Sequence, residues 1–450
     1  VVILTDIGSS GLLRTYGQSK DSEWVVDEIG SSTIFYFYVR SGDLASISDT
    51  KWIGKISQGM GFRHMPAPPF GTVHQGRLAV PFWYDQVGSS GSPTITDRKV
   101  RDEILLSKIQ DPDVYDYIFG QLKVQGDKSD FTVGLHSFNK DALLVFNRES
   151  IHAIVGSLDL QSTKTELLTN EIGCIARRTI LQIGNKIMFL SDSGVYFLDF
   201  ADLYNLRGNE IPLSEKIDTT ISRINKDNAH KCEAAYFNNR YYLAVPLDDW
   251  TNPNQIIKST TLNALLVYNF LNKEWESVDT IEDTNFDYGN LFTAGDGESR
   301  GIYCCSNIGV VHQLESRDDD NDSIINTVGG SQLVKTVKGT ATTRMYTLKS
   351  IDRNKWKRFE IHVESSPYNE SNATFSAIVE NIDGTLALGT ISTLNGGLLS
   401  QGQDVSLRAR IGNPRSYGFQ FKFATTQGRP KMRTFKVDAT ETFRSTTKAI

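Results

Sequence analysis

At 450 residues the chain exceeds what one ordinary hydrophobic core sustains, so two domains or one large repeat architecture are expected. Aromatic residues make up 10%, Gly numbers 36 and Met only 5, a balance that favours strands and turns over helical packing; no run approaches ~18 consecutive apolar residues, which excludes a membrane-spanning helix. The net charge of −6 is unevenly placed: residues 331–450 hold 18 Lys+Arg against 9 Asp+Glu, giving +9 and leaving −15 for residues 1–330, an asymmetry expected of two domains facing different surroundings.

The opening VVILTDIG lacks the charged region and the apolar length of a secretion signal. The cysteines, Cys174, Cys232, Cys304 and Cys305, show no CxxC spacing, so a reduced, cytosol-made protein is expected. A first sheet begins early, with IFYFYV at 34–39 and a turn at Ser41-Gly42-Asp43. MPAPPFG at 65–71 stiffens a connection, and TVHQGRLAVPF at 72–82 alternates about a turn at Gly76-Arg77. DQVGSSGSPTITDRKVR at 85–101 is a polar Gly/Ser insertion long enough to project as a loop. EILLSKIQDPDVYDY at 103–117 returns to strand and is expected to end in an Asp-Pro turn.

From 131 to 246 one pattern recurs three times: apolar strand, tight turn, basic residue, second apolar strand. It reads FTVGLHSFNKDALLVFNRESIHAIVG, then RTILQIGNKIMFLSDSGVYFLDF, then CEAAYFNNRYYLAVP. The turns fall at Asn139-Lys140-Asp141, Gly184-Asn185-Lys186 and Asn238-Asn239-Arg240, residue types that tolerate the positive φ of short hairpin loops. ADLYNLRGNEIPLSEKIDTTISRIN at 201–225 is the best candidate for a helix or helical turns. NALLVYNFLNKEWESV at 263–278 reads as a hairpin with Trp275 on its outer strand, and GIYCCSNIGVVHQL at 301–314 as another.

Arg77, Lys140, Lys186, Arg240 and Arg300 lie 63, 46, 54 and 60 residues apart. A four-stranded propeller blade takes roughly 40 to 50 residues, so each interval suits one blade plus an insertion. The expected fold is therefore all-β: a β-propeller of roughly five to seven blades over residues 1–320, with insertions at 85–101 and 201–225. A linker at 321–332 then leads to an antiparallel β-sandwich over 333–450. Alternating strands are expected at 342–363, 374–382, 405–411, 418–425 and 432–437, the last of which could instead close the propeller ring.

Few motifs in the sequence carry chemistry. Asp318, Asp320 and Asp322 have the first three spacings of a calcium loop, but Ser323 and Gly329 stand where Gly and Glu belong, so a solvated connection is the better reading. Ser191-Asp192-Ser193-Gly194 reads as a plain hairpin turn. The seven histidines never fall at i and i+3 or i+4, GSSG at 8–11 and 88–91 lacks nucleophile-elbow spacing, and no phosphate loop is present. Paired carboxylates could serve a glycosidase, yet nothing selects one pair. The Cys304-Cys305 pair alternates across a strand, one side chain inward and one outward. No catalytic residue, metal ligand or cofactor site is assigned, and a non-enzymatic protein is expected.

The central block resembles the tail nozzle, or packaged-DNA-stabilising, proteins of short-tailed bacteriophages. The residues that carry the resemblance are GLHSFNKDALLVFNRESIHAIVG within 131–156, EIGCIARRTILQIGNKIMFLSDSGVYFL at 171–198, AAYFNNRYYLAVP at 234–246 and ALLVYNFLNKEW at 264–275. RARIGNPR at 408–415 and Gly428-Arg429-Pro430 are similar to the family's final sandwich. The resemblance implies a structural virion protein, a homo-hexameric ring in the virion tail. Such a ring sits below portal and adaptor, retains packaged double-stranded DNA and conducts it transiently during ejection. Its implied partners are a tail adaptor and a needle, plug or tailspike protein, with synthesis in the host cytoplasm. The alternative is a propeller-based glycan-binding or glycan-cleaving tail protein.

Because each Lys or Arg facing a DNA channel would recruit a phosphate, a conduit wall is better neutral or acidic. The basic clusters Lys355, Lys357, Arg358 and Arg408, Arg410, Arg415 are therefore expected to face acidic surfaces of neighbouring subunits or partner proteins.

Overall fold

The computed structural model describes residues 68–441 apart from shorter intervals, of which 86–97, 200–210, 325–332 and 394–401 are the longest, together with short strands ahead of residue 68. The chain divides into two compact units, Val1–Ile281 and Glu282–Ile450. Antiparallel sheets dominate both, as the composition implies. The sequence places the domain boundary at 321–332, whereas the division into units falls ahead of the sheet that starts at Phe292.

From residue 62 on, four sheets of the first unit follow one another along the chain. The first runs in the order Phe62–His64, Asp111–Asp116, Arg98–Lys108, Arg77–Asp85, Thr72–His74, with Gln121–Lys123 also paired to Arg98–Lys108. The second is a sequential meander of Thr132–Phe138, Ala142–Asn147, Ile151–Val155 and Lys164–Thr169. Leu181–Ile183, Lys186–Ser191 and Gly194–Asp199 form the third. Glu233–Phe237, Arg240–Val245, Ala264–Asn269 and Glu274–Thr280 form the fourth.

Side-chain alternation lets these sheets stack face to face. In Ala142–Asn147 every residue is buried. Leu143 and Val145 pack toward Ala79, Ile104 and Leu106 of the preceding sheet, while Leu144 and Phe146 pack toward Ile187 and Phe189 of the next. The third sheet repeats the arrangement, since Met188 and Leu190 join Tyr241, Leu243 and Val245 of the fourth. A strand covered on both faces must be apolar at successive positions, which is why LLVF, IMFL and YYLAV read as unbroken runs. Each fully buried Leu or Phe contributes about 1.5–3 kcal/mol.

The hairpins connecting these strands have the backbone their residues imply, with small shifts of register. His74 pairs with Arg77, so the turn is Gln75-Gly76, at φ +50° and +72°, and Arg77 is the first strand residue rather than a turn residue. Likewise Asn238 and Asn239, both at positive φ, form the turn ahead of Arg240. Ser191 pairs with Gly194 in a hairpin. The expected Asp-Pro turn is corrected: Lys108 pairs with Asp111, so Ile109-Gln110 turns the chain, Gln110 at φ +59°. Pro112 instead lies within the strand Asp111–Asp116, where the register shifts and its missing N–H breaks no regular ladder.

Polar staples join consecutive sheets. Gln75 Nε2 donates to the carbonyls of Lys140 and Gly156 at 2.8 Å each, and its Oε1 accepts from Leu158 N at 2.8 Å. His74 Nδ1 lies 2.8 Å from Ser137 Oγ, and His136 Nε2 lies 3.0 Å from Gln182 Oε1. Where the second sheet hands over to the third, Cys174 N donates to Asn147 O at 2.8 Å. This approach requires glycine beside it, because a Cβ on Gly173 would stand 2.2 Å from the carbonyl oxygen of Arg148.

Of the insertions expected at 85–101 and 201–225, residues 86–97 and 200–210 lie outside the described residues. The remainder of the second holds single helical turns, Glu215–Ile217 and Asp218–Ile221, with Lys226–Lys231 just beyond it. Trp275 Nε1 anchors the segment by donating to Leu213 O at 3.1 Å.

The second unit opens with the sheet Phe292–Ala294, Gly301–Cys305, Val311–Gln313, in which Cys304 is buried and Cys305 half-buried, the alternation expected of the vicinal pair. Within the stretch read as a linker, Asn321–Ile324 forms a strand paired with Leu333–Thr336. Two four-stranded sheets then form a sandwich. One runs Gly339–Thr342, Gly418–Gln427, Asn372–Asn381, Gly384–Thr393. The other centres on Asn354–Glu364, flanked by Asp404–Arg410 and Arg415–Ser416 on one side and Lys431–Glu441 on the other. Lys431–Glu441 therefore belongs to the sandwich. Gly384–Thr393 was not expected, its GTLALGTIST having few large side chains to betray a strand.

The sandwich core is aromatic. Phe421 lies 4.4 Å, 5.6 Å and 5.9 Å, centroid to centroid, from Phe435, Phe359 and Phe375, and Trp356 stacks on Phe419 at 5.0 Å. Trp356 Nε1, buried with its ring, donates to Ser416 Oγ at 2.9 Å.

Candidate functional site: a basic sheet face

On the strand Asn354–Glu364, Trp356, Phe359, Ile361 and Val363 point into the sandwich core. The intervening residues form the opposite face. Pairing brings the two basic clusters of the sequence onto it: Arg358 stands opposite Arg410, Glu360 opposite Arg408, and Lys355 opposite Arg415. On the other flank Asp438 faces Arg358, Lys436 faces Glu360 and Lys431 faces Glu364. All six basic residues singled out in the sequence thus share one sheet.

The charge on this face is graded along the strands. At one end lie Asp404, Glu364, Lys431 and Arg433, two acids against two bases, with Arg433 ion-paired to Glu364. At the other end, among the described residues, Lys355, Lys357, Arg358, Arg408, Arg410, Arg415 and Lys436 face only Glu360 and Asp438, seven bases against two acids. Arg408 Nη2 contacts Glu360 Oε1 at 2.8 Å, and Arg358 Nε donates to Asp438 Oδ2 at 2.6 Å. The hydrogen bond from Arg358 holds the Asp438 carboxyl below its usual range, and the one to Glu360 raises the Arg408 guanidinium above its own. Among the described residues no carboxylate lies within ion-pair distance of Lys355, Lys357, Arg410 or Arg415. Two like-charged pairs directly across adjacent strands repel, so this end favours an incoming anion.

Sequence reasoning missed Lys431, Arg433 and Lys436. Their signal was the alternation in KMRTFKVDATE, where every apolar residue faces the core and leaves its neighbours on the charged side.

A second polar cluster lies at the turn before Ile151–Val155. Ser150 Oγ donates to Asp130 Oδ2 at 2.7 Å and lies 3.2 Å from His152 Nε2 and 3.1 Å from Asn147 Nδ2. These contacts tie the turn Arg148-Glu149-Ser150 to the sheet. Burial pushes the thiols of Cys174, Cys232 and Cys304 up to about 12, which keeps them protonated and unreactive at neutral pH. Among the described residues no group of three His, Cys, Asp or Glu could hold a metal ion. Asp318, Asp320 and both GSSG stretches lie outside the described residues, while Asp322 sits in the strand Asn321–Ile324. Among the described residues no helix is long and apolar enough to cross a membrane.

No family model matches the chain, and no curated protein matches it. Solved structures similar to parts of it include the CNH domain of AfRom2, at 11% identity over 61% of this chain and 71% of that one, with a TM-score of 0.29. AztD from Citrobacter koseri is 12% identical over 53% of this chain and 54% of that one, with a TM-score of 0.25. An exo-β-1,3-galactanase from Phanerochaete chrysosporium is 10% identical over 81% and 80%, with a TM-score of 0.21. Likenesses this slight carry no argument about fold or function.

Proposed function

We propose that this chain is a structural subunit of the tail nozzle of a short-tailed bacteriophage, a ring that forms the distal DNA channel below portal and adaptor. The observation that carries the reading is the resemblance of residues 131–156, 171–198, 234–246 and 264–275 to that family. Those residues make up successive antiparallel meanders stacked face to face, an order that suits blades of a propeller. A propeller hides its strand edges within its blades and so offers a rigid block that can stand beside copies of itself without edge-to-edge aggregation. In this reading the acidic residues 1–330 supply a channel wall that does not hold DNA, and the protein works without catalysis.

The experiment is imaging of tails or of the purified protein. Rings with a central pore, located on the tail axis, are the expected result. Cleavage of glycan or peptidoglycan that disappears when a single carboxylate is replaced would overturn the reading in favour of a tail enzyme.

A further inference from the structure

We infer that the Lys355–Arg415 end of the basic sheet face is a docking surface for a second copy of this chain, whose acidic residues 1–330 supply the counter-charge. The contact rests on the structure and on the charge division. It needs the nozzle reading only for the number of copies joined.

Three observations carry it. The end is strongly cationic, with seven bases against two acids, and four of those bases have no carboxylate within ion-pair distance among the described residues. Arg358–Arg410 and Lys355–Arg415 are like charges set directly across neighbouring strands, an arrangement that costs stability in the isolated sheet and is relieved by an anion between them. Finally, the two acids present are already engaged by Arg358 and Arg408, which fixes those guanidinium groups in place on a rigid aromatic core.

The nature of the partner follows from the same pattern. Glu360 and Asp438 stand between the cations, and a continuous phosphodiester backbone laid across them would meet both carboxylates. A protein surface can place its own carboxylates opposite the cations and leave gaps opposite the acids. The chain itself carries the counter-charge for such a contact, because residues 1–330 sum to −15 against +9 for residues 331–450. Two different patches meeting in this way form a heterologous contact, which closes into a ring or extends as a filament according to the rotation between copies.

The test mixes unlabelled and isotope-labelled full-length protein at about 0.1 M salt, where the Debye length is ~10 Å, and joins amines to carboxylates with a zero-length cross-linker. Links from Lys355 or Lys357 to Asp or Glu of residues 1–330 are expected between differently labelled copies. Links confined to single copies would overturn the inference. In parallel, sedimentation should show that Lys355→Glu, Arg410→Glu and Arg415→Glu combined weaken self-association at least about tenfold, as does about 1 M salt, whereas Lys431→Glu at the balanced end does not.

All these positions are exposed or half-exposed, so the far-UV spectrum of the triple variant should match that of the parent. Protein that stays monomeric at every concentration and salt would overturn the inference. So would binding of a short DNA duplex that the triple variant loses while self-association persists, since the occupant would then be nucleic acid. A tail ring with this face turned to solvent would remove the docking contact and leave the nozzle reading standing; a chain absent from the tail axis would do the reverse.

Discussion

The stacked meanders of residues 132–280 and the sandwich of residues 339–441 solve the same problem in opposite ways. A meander strand such as Ala142–Asn147 is buried on both faces, so its surface is spent on neighbouring sheets of the same unit. A sandwich strand such as Asn354–Glu364 buries one face and leaves the other for charge. A binding surface therefore has different room in the two regions: stacked sheets spend their faces on packing and a few polar staples, whereas the outer face of a two-layer sandwich is left for charge.

Truncating the packed interfaces should give the largest effects and should be equally severe in both regions. Phe189, between Phe146 at 5.3 Å and Tyr196 at 6.2 Å, and Phe421 in the sandwich are both fully buried. Phe189→Ala and Phe421→Ala should each cost about 3–5 kcal/mol in denaturant unfolding of the region concerned. A loss under ~1 kcal/mol at either site would mean that the region is not packed as described.

The hand-over between meanders should be nearly as sensitive. Gly173→Ala forces a Cβ into the backbone of Arg148, and a loss of about 3 kcal/mol is expected from the same measurement. A neutral result would show that the second and third sheets do not meet through Cys174 and Asn147.

Alkaline pH separates the regions by composition. Cys174 and Cys232 have thiols held at about 12 by burial, while the sandwich residues 339–441 contain no cysteine. A group whose folded pKa is raised contributes fully below its unfolded value, here 9.0, and loses that contribution as pH climbs toward 12. Stability of the first unit should fall above pH 9 by about 1.4 kcal/mol per pH unit for each thiol. Replacing both cysteines by alanine should flatten that slope, and an unchanged slope would contradict their burial as thiols.

The all-β, antiparallel character and most of the hairpins were legible in the sequence, for physical reasons that vary by element. YYLAV and ALLVY announce strands because two-sided burial demands apolar residues at every position. Gly76 and Asn238-Asn239 announce turns because few other residues accept positive φ. The Asp111-Pro112 turn was misplaced because proline also fits a strand at an irregular register, and Gln110, which turns the chain, carries no strong signal at φ +59°. The two basic clusters were visible, but their union on one face was not: Arg358 and Arg410 lie far apart in sequence and meet only through strand register.

Smaller effects are expected at the polar edges of the two regions. Gln75→Ala removes three hydrogen bonds from an exposed turn that joins two sheets, and a loss of about 1–2 kcal/mol is expected, with faster amide exchange at Leu158. No such change would show that the staple follows the packing and adds nothing to it. On the sandwich face, Asp438→Asn removes an ion pair open to solvent and should leave the unfolding midpoint unmoved at neutral pH. A large shift there would mean that this face is structural and not reserved for a partner.

The proposed role as the wall of a DNA conduit stands or falls on a reconstruction of the intact tail. A ring of six copies on the axis below the adaptor is expected, with Asp and Glu of residues 1–330 outnumbering Lys and Arg along its inner wall. A tail in which the chain is missing from the axial channel, is present in another copy number, or turns the Lys and Arg of residues 340–436 into the pore would contradict it.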